Sequence, residues 1–327
     1  MDNALRAMTP QPQRRHLLSS DDLQREDVER LLDLAASLEA VGEREVKKLP
    51  TLRGRTVVNV FFEASTRTSS SFELAAKRLS ADVMSIKAAG SSTDKGESLK
   101  DTILTLDAYE PDVLVVRHPQ IGAARFITAY TRASVVNAGD GKHQHPTQAL
   151  LDLYTIRKSV GHLEGLHVAI VGDVLHSRVA RSNMIAFARC GMRVTLIGPP
   201  GLIPRDVAAA GVEVSHDIAD VASADVVYVL RMQRERMLAG EAFVPSLREY
   251  AQRYCVTPAR VRPGQIVMHP GPMNRGVEID GVVADSAASL IAEQVRSGLV
   301  VRMAVLYDVL LGSSVPAPLV VEREAVA

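Results

Sequence analysis

Apolar residues at Val28, Leu31, Leu32, Ala35 and Leu38 recur at helical spacing and predict a helix with one buried stripe. Beyond it the period switches repeatedly. Residues 57–62 form an apolar run of strand length, and Phe72, Ala75, Ala76 and Leu79 then mark the inner face of a helix. Residues 82–86, 113–116 and 134–137 read as further strands, with a helix over 98–109 and a longer one from His145 through the 150s. The stretch Gly161-His162-Leu163-Glu164-Gly165 interrupts the series. It resumes with a strand at 168–171, a helix over 177–190 closed by Gly191, and strands at 193–197, 225–230 and 265–268. A last apolar helix covers 289–311. Repeated strand–helix alternation predicts an α/β fold of two domains, each a mainly parallel sheet flanked by helices. Ligands of such sheets bind beyond the carboxyl ends of the strands. The polar clusters of this chain fall there, so its loops serve one crevice per domain or one cleft between the domains, and the active site is expected in that cleft.

Composition narrows the function classes. A chain of 327 residues is long for one core and suits two. Lys+Arg and Asp+Glu both number 38, so no global field draws the protein to nucleic acid or to an anionic membrane. Any anion site must be a local cluster of basic groups. The two cysteines, Cys190 and Cys255, have neither metal-ligand nor redox spacing, which fits a reducing, cytoplasmic compartment. Residues 1–15 read as a loose basic arm without an apolar signal core, and residues 313–327 as a frayed tail. No apolar run approaches membrane-spanning length.

The clearest chemical signal is Ser65-Thr66-Arg67-Thr68, between a strand and the helix after it. A helix N-terminus offers free N–H groups and a positive dipole end to an anion. Hydroxyls and a guanidinium at that place suit a phosphate, which Arg can grip bidentately. A plain N-cap would need one hydroxyl. The other strand ends carry Arg117-His118-Pro119-Gln120 and the run from Gly139 through Lys142, His143 and His145 to Gln148. His143 and His145 lie i,i+2 with no acidic or Cys ligand set, so metal binding is the weaker reading. A neutral His with an Arg could stabilise charge developing on a carbonyl oxygen; a capped helix start with a structural His reads equally well. Lys95 tips a polar loop, Arg178 opens a helix, and Arg231 and Gln233 lie in a charged run of the kind usually just solvated. His269-Pro270-Gly271-Pro272 is a rigid turn able to present backbone carbonyls. Neither G-x-G-x-x-G nor G-x-x-x-x-G-K-[ST] occurs, which removes support for dinucleotide and nucleoside-triphosphate binding.

Taken in order, F-F-E-A-S-T-R-T, K-G-E-S-L-K-D-T, R-H-P-Q, N-A-G-D-G-x-x-Q-H-P-T-Q, V-G-D, L-R-M-Q-R-E-R and H-P-G-P-M-N-R-G give the chain its family likeness. It resembles the aspartate carbamoyltransferase catalytic chains, within the aspartate/ornithine carbamoyltransferase superfamily, from the first helix to about residue 310. S-T-R-T alone marks only carbamoyltransferases in general; the ordered set is far more specific. The resemblance implies transfer of the carbamoyl group of carbamoyl phosphate to the amine of L-aspartate, in pyrimidine biosynthesis, with no cofactor and no metal. It implies that Ser65, Thr66, Arg67 and Thr68 hold the phosphate and that Thr68, Arg117 and His145 polarise the carbonyl. Gln148 and the backbone of Pro270, Gly271 and Pro272 would orient the carbamoyl amine. Lys95, Arg178, Arg231 and Gln233 would bind aspartate, with Ser91 and Lys95 entering the neighbouring subunit's site in a homotrimer. Glu63 with Arg178 and Arg236 resembles the interdomain group of the closed state. The implied domains are 1–148 with 288–327 for carbamoyl phosphate, and 149–287 for aspartate. The resemblance admits further assembly with a regulatory chain or a dihydroorotase.

Two competitors have distinct expectations. Ornithine carbamoyltransferases share S-T-R-T and H-P-x-Q but carry H-C-L-P, where this chain has Pro270 in place of the Cys, and a Ser-Met-Gly stretch not seen here. A non-catalytic homologue serving as an assembly partner would not need every polar residue of the chemistry, and all are present. The Gly of H-P-G-P, where some relatives have Leu, leaves the backbone acceptors in place and alters only packing.

Overall fold

The computed structural model describes residues 15–87, 96–207, 211–233 and 246–312. The first α-helix among the described residues is α1 (Arg25–Glu39), whose buried residues are the five of the expected stripe. Its entry is fixed by a capping box in which Gln24 and Asp27 satisfy each other's backbone N–H groups. Four parallel strands follow: β1 (Thr56–Phe61), β2 (Asp82–Lys87), β3 (Val113–His118) and β4 (Ser134–Asp140), joined through α2 (Thr66–Arg78), α3 (Leu99–Asp107) and α4 (Ala123–Ile127). Helix α5 (Pro146–Val160) then leads to a second parallel sheet: β5 (His167–Val171), β6 (Arg193–Ile197), β7 (Glu213–Ser215), β8 (Val226–Val229) and β9 (Ile266–Met268). Its helices are α6 (Arg178–Arg189) after β5, α7 (Leu247–Tyr254) after β8 and the short α8 (Gly281–Ala284) after β9. Helix α9 (Ile291–Leu311) ends the described chain.

Strand order decides where ligands can lie. The first sheet runs β2-β1-β3-β4 and the second β7-β6-β5-β8-β9. The chain therefore reverses direction between β1 and β3 in one sheet and between β5 and β8 in the other. Such switch points open a crevice at the carboxyl ends of the two strands. Glu63 to Thr68 and Arg117 follow the first pair; Asp173 to Arg178 and Arg231 follow the second.

Helices α5 and α9 join the two sheets. Eleven consecutive residues of α5, from Pro146 to Ile156, are buried. Helix α9 is nearly as enclosed and packs on α5, and on α1 and α2 beside the first sheet, more than on β9. One hydrophobic cluster runs from α1 through Leu150 and Leu153 of α5 to Ile170 of β5 and Met303 of α9. Each such fully buried side chain contributes roughly 2 kcal/mol. Smaller clusters cover the far faces of the first and second sheets. Strand β2 is the exception: Asp82, Met84, Ser85 and Lys87 on this edge are exposed.

The sequence pattern misses β7, α4, α7 and α8. Strand β7 has three residues with no buried position, so it carries no apolar signal. In α7 only Tyr250 and Tyr254 are buried, a four-residue stripe among charged neighbours. The expected arm at 1–15, except Arg15, and the tail at 313–327 lie outside the described residues.

Candidate active site

Ser65 is the N-cap residue of α2, in extended backbone, yet its hydroxyl makes no capping hydrogen bond. Thr66 and Arg67 are exposed and Thr68 is buried. Among the described residues Arg67 makes no ion pair, and its guanidinium rests on the backbone of Gly271: a Cβ built there would lie 2.7 Å from Arg67 Cζ. The turn after β9 and the N-terminus of α2 thus meet. Gly271 also has a φ of +65°, which favours glycine. Beneath the first turn of α2, the buried Arg302 of α9 donates to Ser71 Oγ at 2.6 Å and lies 5.2 Å from the Phe72 ring centroid. Ser71 in turn donates to the Thr68 carbonyl at 3.2 Å. Burial lowers the Arg302 guanidinium to about 10, so it stays charged at neutral pH.

A second group joins the two sheets. Glu63 Oε1 accepts from Arg117 Nη2 at 2.9 Å and from Arg178 Nη2. Arg117 sits at the end of β3, and Arg178 is the first residue of α6, whose N-cap Ser177 accepts from Ala180 N at 3.1 Å. Both guanidinium groups close on Gly139, where an added Cβ would lie 2.9 Å from Arg178 Nη1 and 3.3 Å from Arg117 Nη1. With φ at +118°, position 139 excludes a side chain by backbone and by space together. One carboxylate therefore holds two buried or half-buried cations from different sheets side by side. Arg236, expected with them, lies outside the described residues.

The loop after β4 is organised by Asp140. Its carboxylate accepts from Asn137 Nδ2 at 3.0 Å, from Gln144 N at 3.0 Å and from Gly122 N at 2.8 Å, and it faces His143 Nδ1 at 3.2 Å. His145 caps α5 and is buried; its backbone N–H donates to Ser182 Oγ of α6 at 2.7 Å. Gln148 follows one turn later, and its Nε2 donates to Asp152 Oδ1 at 3.0 Å. His118 has a local job: Nδ1 accepts from Gln120 N at 3.0 Å, and burial lowers its affinity for a proton. Among the described residues no group of three or more His, Cys, Asp or Glu is placed to hold a metal ion.

At the second switch point, Arg231 Nη2 donates to Gln233 Oε1 at 3.2 Å. Asp173, at the end of β5, accepts from the Gln233 backbone N–H at 3.1 Å with one oxygen and faces His176 Nδ1 at 2.8 Å with the other. Asp173 is fully buried, so Gln233, in the run expected to be solvated, is anchored through its backbone; Arg234 to Arg236 lie outside the described residues. Ser91 and Lys95 lie outside the described residues. Sequence reasoning passed over Asp152, Gln294 and Arg302. The available signal was a single charge within an apolar helical run, as at Leu150-Leu151-Asp152-Leu153.

Residues 15–158 match the family model for the aspartate/ornithine carbamoyltransferase carbamoyl-P binding domain, and residues 164–309 that for the Asp/Orn binding domain. The chain is 58% identical over 307 residues to the aspartate carbamoyltransferase catalytic subunit of Salinispora arenicola, covering 92% of this chain and 99% of that one. It is 55% identical to the subunit of the same name from Thermobifida fusca, with 93% and 97% covered. Among solved structures, it superposes on aspartate transcarbamoylase from Trypanosoma cruzi in complex with carbamoyl phosphate and aspartate, with TM-score 0.82, 34% identity, and coverage of 90% and 97%. The catalytic subunit of M. jannaschii aspartate transcarbamoylase gives TM-score 0.79 at 36% identity, with 90% and 97% covered.

Proposed function

The chain belongs to the aspartate/ornithine carbamoyltransferase family, and from that premise we propose that it transfers the carbamoyl group of carbamoyl phosphate to the amine of L-aspartate, giving N-carbamoyl-L-aspartate and phosphate. The observation that carries this reading is the pairing of Arg117 and Arg178 on Glu63, beside an α2 N-terminus whose Arg67 is left without an ion pair among the described residues. Ser65, Thr66, Arg67 and Thr68 grip the phosphate at the helix end, with Arg302 adding buried positive charge one turn below. The uncharged amine of aspartate attacks the carbamoyl carbon, forming a C–N bond. The tetrahedral oxyanion is stabilised by Thr68, Arg117 and His145; its collapse breaks the C–O bond to phosphate, which takes the amine proton as it leaves. No protein nucleophile is needed. Rate comes from orientation and preorganised charge. Gln148 and the carbonyls of the 270–272 turn face the carbamoyl amine, while Arg178, Arg231, Gln233 and Lys95 take the carboxylates of aspartate.

The same reading assigns α9 to the carbamoyl-phosphate unit, giving domains of 1–148 with 288–327 and of 149–287. What supports it is the packing of α9 on α1 and α2. It also makes the protein a homotrimer in which Ser91 and Lys95 serve a neighbour's site. The support is the exposed β2 edge, which both residues follow directly in the sequence. We place the enzyme in the cytoplasm, in pyrimidine biosynthesis; both cysteines are buried free thiols, which suits a reducing compartment. No helix among the described residues is long and apolar enough to cross a membrane. Calorimetry with a bisubstrate mimic carrying a phosphonate and a dicarboxylate tests the site: tight binding at one site per chain is expected. Turnover of ornithine in place of aspartate would overturn the assignment.

A further inference from the structure

Asp152 is fully buried on α5, and four side-chain donors surround its carboxylate. Gln148 Nε2 at 3.0 Å and Gln294 Nε2 at 2.7 Å reach Oδ1; Asn183 Nδ2 at 3.0 Å and the Tyr228 hydroxyl at 2.6 Å reach Oδ2. The donors come from α5, α9, α6 and β8, so this single group ties three helices to the second sheet. An ionised carboxylate only accepts hydrogen bonds. Each amide beside it must therefore present its NH2 edge to Asp152 and turn its oxygen away. For Gln294 that oxygen accepts the His269 backbone N–H at 2.9 Å. His269 Nδ1 accepts from Gly271 N at 2.8 Å, which leaves Nε2 to carry the ring proton toward Glu278 Oε1 at 3.3 Å. The turn that carries Gly271 under Arg67 is thus set in place from Asp152 outward.

We propose that Asp152 is a positioning residue for the carbamoyl amine: its buried carboxylate fixes the Gln148 amide with the oxygen outward and, through Gln294 and His269, fixes the 270–272 turn. This rests on the carbamoyltransferase reading of the site. The amine of a carbamoyl group is a donor, so it needs acceptors, and Gln148 supplies one only while its NH2 edge is held elsewhere.

Protonation should undo the arrangement. Burial first, against the four hydrogen bonds, raises the Asp152 carboxyl to about 6. Tyr228 from β8 faces it and stays a neutral phenol, since burial and the carboxylate hold it well above its ordinary range. Arg302 of α9 adds positive charge, and α5 and α6 present the amides of Gln148 and Asn183. Below this pH the neutral acid carries a proton of its own, so a donor beside it must give way, the Tyr228 hydroxyl by turning to accept or an amide by swinging its NH2 edge aside, and the amides lose the charge that orients them. Stability runs the other way. With the folded value raised above the ordinary 3.8, the contribution to folding is complete below 3.8 and is lost as pH rises through about 6. The charge is held for orientation, against stability.

The test is steady-state kinetics from pH 5 to 9 for the whole enzyme and two variants. Wild type is expected to lose kcat/KM for carbamoyl phosphate on an acid limb near pH 6. Asp152→Asn should raise KM for carbamoyl phosphate at least about tenfold and abolish that limb, because Asn must offer one donor to the ring of donors. Tyr228→Phe removes one hydrogen bond that favours the charged form and should move the limb up by about one pH unit, with kcat at pH 8 within about twofold. A limb due to protonation of the substrate phosphate would not respond to residue 228. An unmoved limb in Tyr228→Phe, or an Asp152→Asn enzyme with wild-type KM and limb, overturns the proposal; if Asp152→Asn does not fold, Tyr228→Phe decides alone. Wild type that fails to carbamoylate aspartate at every pH would instead remove the functional reading itself.

Discussion

Arg67 and Arg117 illustrate two ways of presenting a guanidinium to an anion. Arg117 is held by Glu63 and by the Ala138 carbonyl at 3.3 Å, so its position is set before substrate arrives. Arg67 is exposed and lies over a glycine backbone with no carboxylate beside it among the described residues. In the proposed reaction it meets the leaving phosphate. Arg67→Ala should cost on the order of 3 kcal/mol of transition-state stabilisation, about a hundredfold or more in kcat, while thermal unfolding moves little because the side chain is at the surface. Kinetics and a melting curve on the same preparation check this; activity within tenfold of wild type would rule out its role. This residue was legible in sequence, since the hydroxyl-rich run and its place after a strand carry the argument. Glu63 was visible only through the family likeness, because a carboxylate at a strand end says nothing about which cations reach it.

At the scale of elements, the α2 and α6 helix starts aim the site. Ser177 caps α6 directly before Arg178, so the cap also fixes where that guanidinium leaves the helix. Ser177→Ala is expected to cost about 1 kcal/mol of stability and to raise KM for aspartate more than KM for carbamoyl phosphate. Equal effects on both would mean that the cap acts on stability alone. The long helices and long strands were readable because their apolar positions repeat at 3.6 or form continuous runs. Strand β7 and helix α7 were not, as one is unburied and the other short and charged. The order of strands was not readable at all: alternation predicts parallel sheets, but only pairing reveals that β1 neighbours β3 and β5 neighbours β8.

For the whole molecule, the exposed β2 edge and the proposed role of Lys95 bear on assembly. In a trimer with shared sites, Arg67→Ala and Lys95→Ala remove different halves of each site. Mixing the two inactive variants under conditions of subunit exchange should restore activity, because some sites then draw both intact halves from different chains. A mass three times the 35.4 kDa of the chain is expected in solution. No recovery on mixing, despite exchange, would place Lys95 in its own chain's site.

The sequence by itself determined the alternating parallel architecture, the phosphate-suited helix end at Ser65 to Thr68, and the family likeness that names an acceptor. Those are local or ordered features: a period, a spacing, a series of short motifs. Tertiary structure alone decided which distant groups share a charge or a proton. Glu63 between Arg117 and Arg178, Arg67 against Gly271, and Asp152 among amides from three helices and a phenol from β8 are contacts between residues far apart in the chain. The reason is physical. Periodicity records which face of an element is buried, whereas the orientation of an amide or the stability of a buried charge depends on what the fold brings within 3 Å of it.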